Sequence, residues 1–203
     1  MKSVFASALL AASSSAYTGV DVSTLVSEST WECLMSPGGE GAVEWVSVRA
    51  LISNGQTDSN APDTIKNART AGIKHVSAYI LPCVSCGDGA KQVNDTVYLL
   101  NSNNAEPDMY WYDVAASDWS TDLKSNQDFI KDMVIKGQSL GITAGVYTSR
   151  SNWDKVVGLD WTYPSEQGLP LWYAHNDDTA SFSDFEAFGG WTKPIVKQFE
   201  KNQ

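Results

Sequence analysis

The sequence has few positive charges and no long run of apolar residues. Its 203 residues include 14 lysines and arginines against 24 aspartates and glutamates, which gives a formal net charge of −10 at pH 7. Such a surface repels phosphate backbones and anionic lipid headgroups, so we expect no nucleic-acid partner and no membrane partner. After the first 16 residues, no segment has the ~18 consecutive apolar residues that a membrane-spanning helix needs.

Cysteine and histidine are also scarce, which limits metal and redox chemistry. There are three cysteines and two histidines. Cys83 and Cys86 form a CVSC motif, but a zinc site would need more ligands, and only His75 and His175 are available. A thioredoxin-like redox pair is an alternative, although the flanking residues do not match one. We expect a local structural disulfide between Cys83 and Cys86, with Cys33 unpaired, and we predict neither a metal nor a cofactor.

The first 16 residues, MKSVFASALLAASSSA, have the layout of a secretory signal peptide. Lys2 is followed by a short apolar run and then by small residues up to Ala16, which predicts cleavage before Tyr17. The alternative is an ordinary buried helix. We therefore expect one mature domain, residues 17–203, that is secreted or delivered to a lysosomal or phagosomal compartment.

Seven short runs rich in β-branched and aromatic residues alternate with helical patterns, such as those over 61–72 and 125–141. The runs are 17–23, 43–50, 74–81, 109–115, 142–149, 169–174 and 194–200. This alternation predicts parallel strands in an α/β fold, either a barrel or a doubly wound sheet. No G-x-G-x-x-G follows the first run and no phosphate-binding loop is present, which disfavours a nucleotide-binding sheet.

Two carboxylates stand in apolar surroundings, one inside the first predicted strand and one near the end of the fourth. Asp21 lies in TGVDVS, and Asp113 lies in MYWYDVA. Burying an unpaired carboxylate costs several kcal/mol, so each side chain needs a partner or a chemical task. Capping of a following helix is the alternative role. In a β/α barrel the carboxyl ends of the strands carry the active site, which favours the functional interpretation.

Aromatic residues gather at the same predicted strand ends. They are Tyr79, Trp111, Tyr147, Trp172 and Tyr173. Core packing accounts for some of them, yet eight tryptophans in 203 residues is a high count. Because sugar rings stack on such side chains, acids and aromatics together indicate a polysaccharide-binding groove.

Five segments resemble glycoside hydrolase family 25, the Ch-type lysozymes, in its secreted protist and nematode branch. They are TGVDVS, MYWYDV, GVYTSRSNW, LPLWYAHND and FGGWTKPIVKQF, in the family's order. The resemblance implies an irregular TIM-like β/α barrel. It also implies cleavage of the β-1,4 bond between N-acetylmuramic acid and N-acetylglucosamine, with bacterial peptidoglycan or a related polysaccharide as the partner. We expect a monomer.

The resemblance also implies roles for individual residues. Asp21 matches the acidic residue of the family's first strand, and Asp113 matches the first residue of its D-x-E motif. Gln198 stands where the family has a glutamine in its penultimate strand. Tyr79, Tyr147 and Trp172 look like aromatic residues that line the saccharide groove.

The sequence departs from the family at residue 115, where Ala115 replaces the glutamate that resembles the proton donor. Residues i and i+2 of a strand share a face about 6–7 Å apart, close to the spacing that two glycosidase carboxylates need. Loss of a general acid typically slows a reaction by about 10²- to 10⁴-fold. Asp118 and Glu200 are the acids that could substitute.

A second departure concerns the end of the chain. The family continues past the KQF segment with a strand that carries a further Asp, in this branch usually preceded by a Cys. We therefore expect the barrel to lack its last strand and Cys33 to lack its partner. Two functions stay open, namely a lysozyme-type glycosidase and a non-catalytic protein that binds peptidoglycan or a related glycan.

Overall fold

A computed structural model describes residues 17–36, 43–115 and 118–200. The predicted signal peptide, residues 1–16, lies outside the described residues. The elements, in chain order, are β1 (Thr18–Val22), α1 (Glu28–Met35), β2 (Val43–Leu51), α2 (Ala61–Ala71), β3 (His75–Ile80), α3 (Gly89–Ser102), β4 (Met109–Asp113), α4 (Leu123–Ser139), β5 (Ala144–Thr148), α5 (Arg150–Val157), α6 (Tyr163–Glu166), β6 (Leu171–Ala174) and β7 (Val196–Gln198). Each of the seven predicted runs coincides with one strand, and only Leu51 at the end of β2 lies beyond its run, so those predictions are confirmed.

The seven strands form one parallel sheet in the order β1 to β7. The sheet curls into a half-barrel with helices on its outer face, which confirms the predicted TIM-like α/β architecture. Within the described residues, β1 and β7 are the two edges of the sheet. They approach each other closely enough for a side-chain hydrogen bond between Gln198 and Asp21.

The predicted helix boundaries have the expected local causes. Pro62 occupies the first turn of α2, and Gly72 ends that helix in the left-handed region with φ of 98°. In α4, Met133 and Val134 are buried against the sheet and Phe129 packs beside them, as the apolar spacing predicts.

The two faces of the sheet carry different side chains. Alternate residues such as Val46, Val76 and Val146 point outward and form the core with the helices. The residues between them point into the half-barrel. At the carboxyl end these inward positions include Asp21 and Asp113, so the strand alternation itself sends both carboxylates into the interior.

An aromatic layer fills the half-barrel below those carboxylates. The ring centroid of Trp172 lies 5.0 Å from that of Trp45 and 5.5 Å from that of Trp111. Two inward glycines make room for these rings. A Cβ atom at Gly19 would lie 2.4 Å from the ring of Trp45, and one at Gly145 would lie 2.5 Å from the ring of Trp111. The floor of the groove is thus packed protein, and the space for a ligand lies above it.

The cysteines behave as predicted. Cys83 and Cys86 form a disulfide in the loop between β3 and α3, and Cys33 is free and exposed. No helix among the described residues is long and apolar enough to cross a membrane.

Candidate active site at the carboxyl end of the sheet

Asp21 is held by a relay of hydrogen bonds that crosses three strands. The Gln198 Nε2 donates to Asp21 Oδ1 over 2.9 Å, and the Tyr147 hydroxyl donates to Gln198 Oε1 over 2.7 Å. Gln198 stands 177 positions after Asp21 in the sequence and 51 positions after Tyr147. The relay fixes the orientation of the Asp21 carboxylate and joins the two edges of the sheet.

Asp113 is the last residue of β4 and lies above the aromatic layer. Its side chain is surrounded by protein on most sides and is partly exposed to the groove. Its Oδ1 accepts a hydrogen bond of 2.8 Å from the backbone N–H of Ala115. Burial raises the pKa of Asp113 from 3.8 to about 7, an effect that the Ala115 amide opposes and the charge of Asp21 reinforces. Asp113 can therefore hold a proton at mildly acidic pH.

Ala115 lies two residues after the end of β4, and hydrogen bonds hold the backbone beside it. The Val114 N–H donates to Tyr147 O over 2.9 Å, and Thr148 Oγ1 donates to Val114 O over 3.0 Å. At residue 115 the side chain is a methyl group that can neither donate nor accept a proton. Asp118 and Glu200, the suggested substitutes, are exposed on the segments after β4 and β7, and a catalytic role for either stays a prediction.

Tyr79 and Tyr147 lie beside the two carboxyl groups. Burial is the main cause that raises the pKa of both hydroxyls, and the charges of Asp21 and Asp113 raise it further. Both hydroxyls therefore stay protonated across the physiological range and can donate hydrogen bonds. Trp172 lies below them, 3% exposed, with its ring centroid 4.7 Å from that of Tyr147. It supports Tyr147 from beneath and offers little open ring surface to a sugar.

Arg49 is a residue of this site that the sequence reasoning missed. Its Nη2 donates to the carbonyl of Ser23 over 2.8 Å, and its Nε and Nη2 donate to Asp58 Oδ2 over 3.0 and 2.9 Å. Its positive charge also lowers the pKa of Tyr79. Arg49 thus ties the loops after β1 and β2 together at the rim of the groove. A lone arginine in the apolar run VEWVSVRAL was the signal that could have revealed it.

A group of polar residues at the other side of the rim has the spacing of metal ligands. Ligand atoms of His175, Asp177 and Asp184 lie within 4.8 Å of one another. The Lys197 ammonium donates to Asp177 over 2.9 Å and to Asp184 over 3.0 Å. Because this ammonium already supplies the positive charge among the carboxylates, the group acts as an ion-pair network. It fastens the loop after β6 to β7.

Comparison with known proteins gives the family. The family model described as Lysozyme-like protein 1 matches residues 12–199. Probable GH family 25 lysozyme 2 of Dictyostelium discoideum is 39% identical over 186 residues, which are 92% of this chain and 84% of that protein. Lysozyme-like protein 5 of Caenorhabditis elegans is 34% identical over 203 residues, with 98% of this chain and 92% of that protein covered.

A solved structure shows a similar fold. The modular autolysin LytC from Streptococcus pneumoniae superposes with a TM-score of 0.58 at 18% identity, over 79% of this chain and 37% of that chain. A second structure of LytC contains a synthetic peptidoglycan ligand. The family match over most of the chain and the two relatives above 30% identity show that the chain belongs to the lysozyme-like proteins of glycoside hydrolase family 25.

Proposed function

We propose that the chain binds the glycan strand of bacterial peptidoglycan as a monomer. It hydrolyses the β-1,4 bond between N-acetylmuramic acid and N-acetylglucosamine. The observation that carries this proposal is the convergence of Asp21 and Asp113 with the tyrosine hydroxyls at the carboxyl end of the sheet. The lysozymes among its relatives and the peptidoglycan ligand bound by LytC support this choice of substrate.

Asp113 takes the part of proton donor in this proposal, since residue 115 has no acid. A general acid works best when its pKa lies near the working pH, and burial raises the pKa of Asp113 to about 7. Its proton moves to the glycosidic oxygen as the bond from that oxygen to the muramic C1 breaks. The departing N-acetylglucosamine residue leaves as an alcohol.

Asp21 stabilises the positive charge that develops at C1, because Gln198 holds its carboxylate in place. The oxygen of the substrate's own acetamido group attacks C1 and forms an oxazolinium ion. Water then opens that ring, its hydroxyl bonds to C1, and its proton returns to Asp113. The product is a new muramic reducing end formed with retention.

A second candidate function is a peptidoglycan-binding protein without turnover, and Ala115 is the observation that favours it. The groove, the relay to Asp21 and both tyrosines would serve binding equally well. Loss of the usual acid leaves catalysis weaker by about 10²- to 10⁴-fold unless Asp113 compensates.

The test uses the purified chain with insoluble peptidoglycan and counts new muramic reducing ends by mass spectrometry. Asp21→Asn and Asp113→Asn variants run beside it, with circular dichroism as the folding control. We expect the parent to release fragments and both variants to release none. Binding without release by the parent would establish the second function, and an absence of binding would refute both.

We further propose that residues 1–16 direct the chain to the secretory pathway and on to the exterior or a phagosome-like compartment. The signal-like sequence supports this, and a disulfide between Cys83 and Cys86 suits an oxidising compartment. Expression in eukaryotic cells with and without residues 1–16, followed by N-terminal sequencing of the secreted product, tests it. Equal retention of both forms in the cytosol would contradict the proposal.

A further inference from the structure

A groove of about 660 Å³ lies between α3 and the loop that follows β2, and its lining includes none of the active-site residues described above. Its size falls in the range of small-molecule sites. One wall is a face of α3, where Tyr98 and Ser102 stand one turn apart. The other wall is formed by Gln56, Thr57 and Ser59.

The most exposed large side chain of this groove is Tyr98, which is 73% exposed. Around its ring stand hydroxyl and amide groups that both donate and accept hydrogen bonds. The one charged residue of the lining, Asp95, is paired with Lys91 on the same helix. A lining of mostly uncharged groups with an open aromatic ring suits an uncharged, hydroxyl-rich ligand, and its residues offer an anionic ligand no cation.

The wall opposite Tyr98 is held in one conformation. Its backbone makes hydrogen bonds of 2.9 Å from Ile52 N to Gln56 O and from Gly55 N to Ile52 O. Gly55 has φ of 82°, and a Cβ atom there would lie 3.1 Å from Cys86 Sγ, so the disulfide loop packs directly against it. A wall ordered before binding loses little entropy on binding.

We propose that this groove is a second carbohydrate-binding site, which takes one neutral N-acetylhexosamine unit of a glycan strand with its ring stacked on Tyr98. The proposal rests on the proposed function, since it supposes a polymeric glycan substrate. Its lining contains neither of the two acids nor the relay to Asp21, so we assign it binding and no part in the chemistry. It holds the protein on an insoluble polymer while the active site engages the same or a neighbouring strand.

The test separates binding at this groove from events at the active site. The probe is a soluble N-acetylglucosamine tetramer, titrated into isotope-labelled protein and followed by NMR shifts of the Gln56, Thr57 and Ser102 backbone amides. We expect these amides to shift. Tyr98→Ala should lower the affinity for the tetramer by about tenfold, whereas Tyr98→Trp should retain it. Ile135→Ala, an exposed residue on α4, is the matched control and should change nothing.

A second measurement compares insoluble and soluble peptidoglycan. If the parent is active, Tyr98→Ala should reduce retention on the insoluble polymer and leave cleavage of short soluble fragments unchanged. Unshifted amides, or equal affinity of Tyr98→Ala and the parent for the tetramer, would overturn the inference. If the parent shows no turnover but its groove amides still shift, the proposed hydrolysis is refuted. The second binding site is then still supported.

Discussion

Residue 115 is the position at which a substitution should raise turnover. Its backbone N–H holds Asp113, while its methyl group leaves the groove without the family's usual proton donor. We expect Ala115→Glu to raise the rate of reducing-end release by about 10²-fold, because it adds the family's usual proton donor and leaves Asp113 free to stay ionised beside the developing positive charge.

Ala115→Gln is the matched control for that gain. The glutamine side chain has the same length as glutamate, but its amide cannot act as a general acid. Both variants should show the same thermal unfolding midpoint before rates are compared. Equal rates for Ala115→Glu and Ala115→Gln would contradict the idea that the missing acid limits turnover.

The protonation of Asp113 makes stability depend on pH. Its pKa is about 7 in the folded chain and about 3.9 when unfolded. Between these values the unfolded chain releases the proton and the folded chain keeps it, so stability falls as the pH rises through that window.

Asp113→Asn removes that dependence, because the amide stays neutral. The quantity of interest is the free energy of unfolding of the variant minus that of the parent. We expect this difference to be at least about 1 kcal/mol more favourable to the variant at pH 8 than at pH 4.5. Urea denaturation at the two pH values measures the difference. If variant and parent differ by the same free energy at both pH values, Asp113 is ionised throughout this pH range. It would then be unable to act as the acid.

At the scale of the elements, the small residues of the strands decide how the interior packs. Gly145 in β5 leaves the space that the Trp111 ring occupies. We expect Gly145→Ala to destabilise the fold by about 1–3 kcal/mol, since the added methyl group would overlap the ring. Thr143→Ala, exposed just before the strand, should stay within about 0.5 kcal/mol. Chemical denaturation measures both, and equal effects would refute the packing argument.

The edges of the sheet depend on one side-chain relay. Gln198→Leu removes both the bond to Asp21 and the bond from Tyr147. We expect faster hydrogen exchange at the amides of β7 and a lower rate of turnover, because β7 loosens and Asp21 loses its fixed orientation. Lys193→Ala, exposed in the loop before β7, is the control. Unchanged exchange in β7 would show that the backbone ladder to β6 alone holds the strand.

At the scale of the whole molecule, the net charge of −10 affects how the protein meets its polymer. Peptidoglycan carries muramic and peptide carboxylates, so the two repel each other at low salt. We expect binding to insoluble peptidoglycan to strengthen between 10 and about 150 mM salt, as the screening length falls from about 30 to about 8 Å. Binding to neutral chitin should not change. Weaker binding at higher salt would indicate a local cationic contact instead.

Much of the fold followed from the sequence. All seven strands, the ends of the helical patterns over 61–72 and 125–141 and the local disulfide were predictable, because each depends on near neighbours in the chain. The carboxylates of Asp21 and Asp113 were also recognisable, since charges inside apolar strands are costly and uncommon.

Other features needed contacts between distant residues. Nothing near Asp21 in the chain indicates that Gln198 would hold it, and the burial that raises the pKa of Asp113 exists only in the folded sheet. Trp172 stands near the end of a predicted strand like the other aromatic residues, and its burial comes from packing against Trp45 and Trp111. The rim position of Arg49 and the groove beside Tyr98 are likewise products of assembly.

The sequence by itself determined the strand and helix pattern, the identity of the acids and the absence of one at residue 115, because these are properties of single positions and short periods. The tertiary structure decided which side chains meet, how deeply each is buried and hence which carboxyl holds a proton. The physical reason is that burial and long-range hydrogen bonds arise only when the curled sheet brings β1, β4, β5 and β7 around one space.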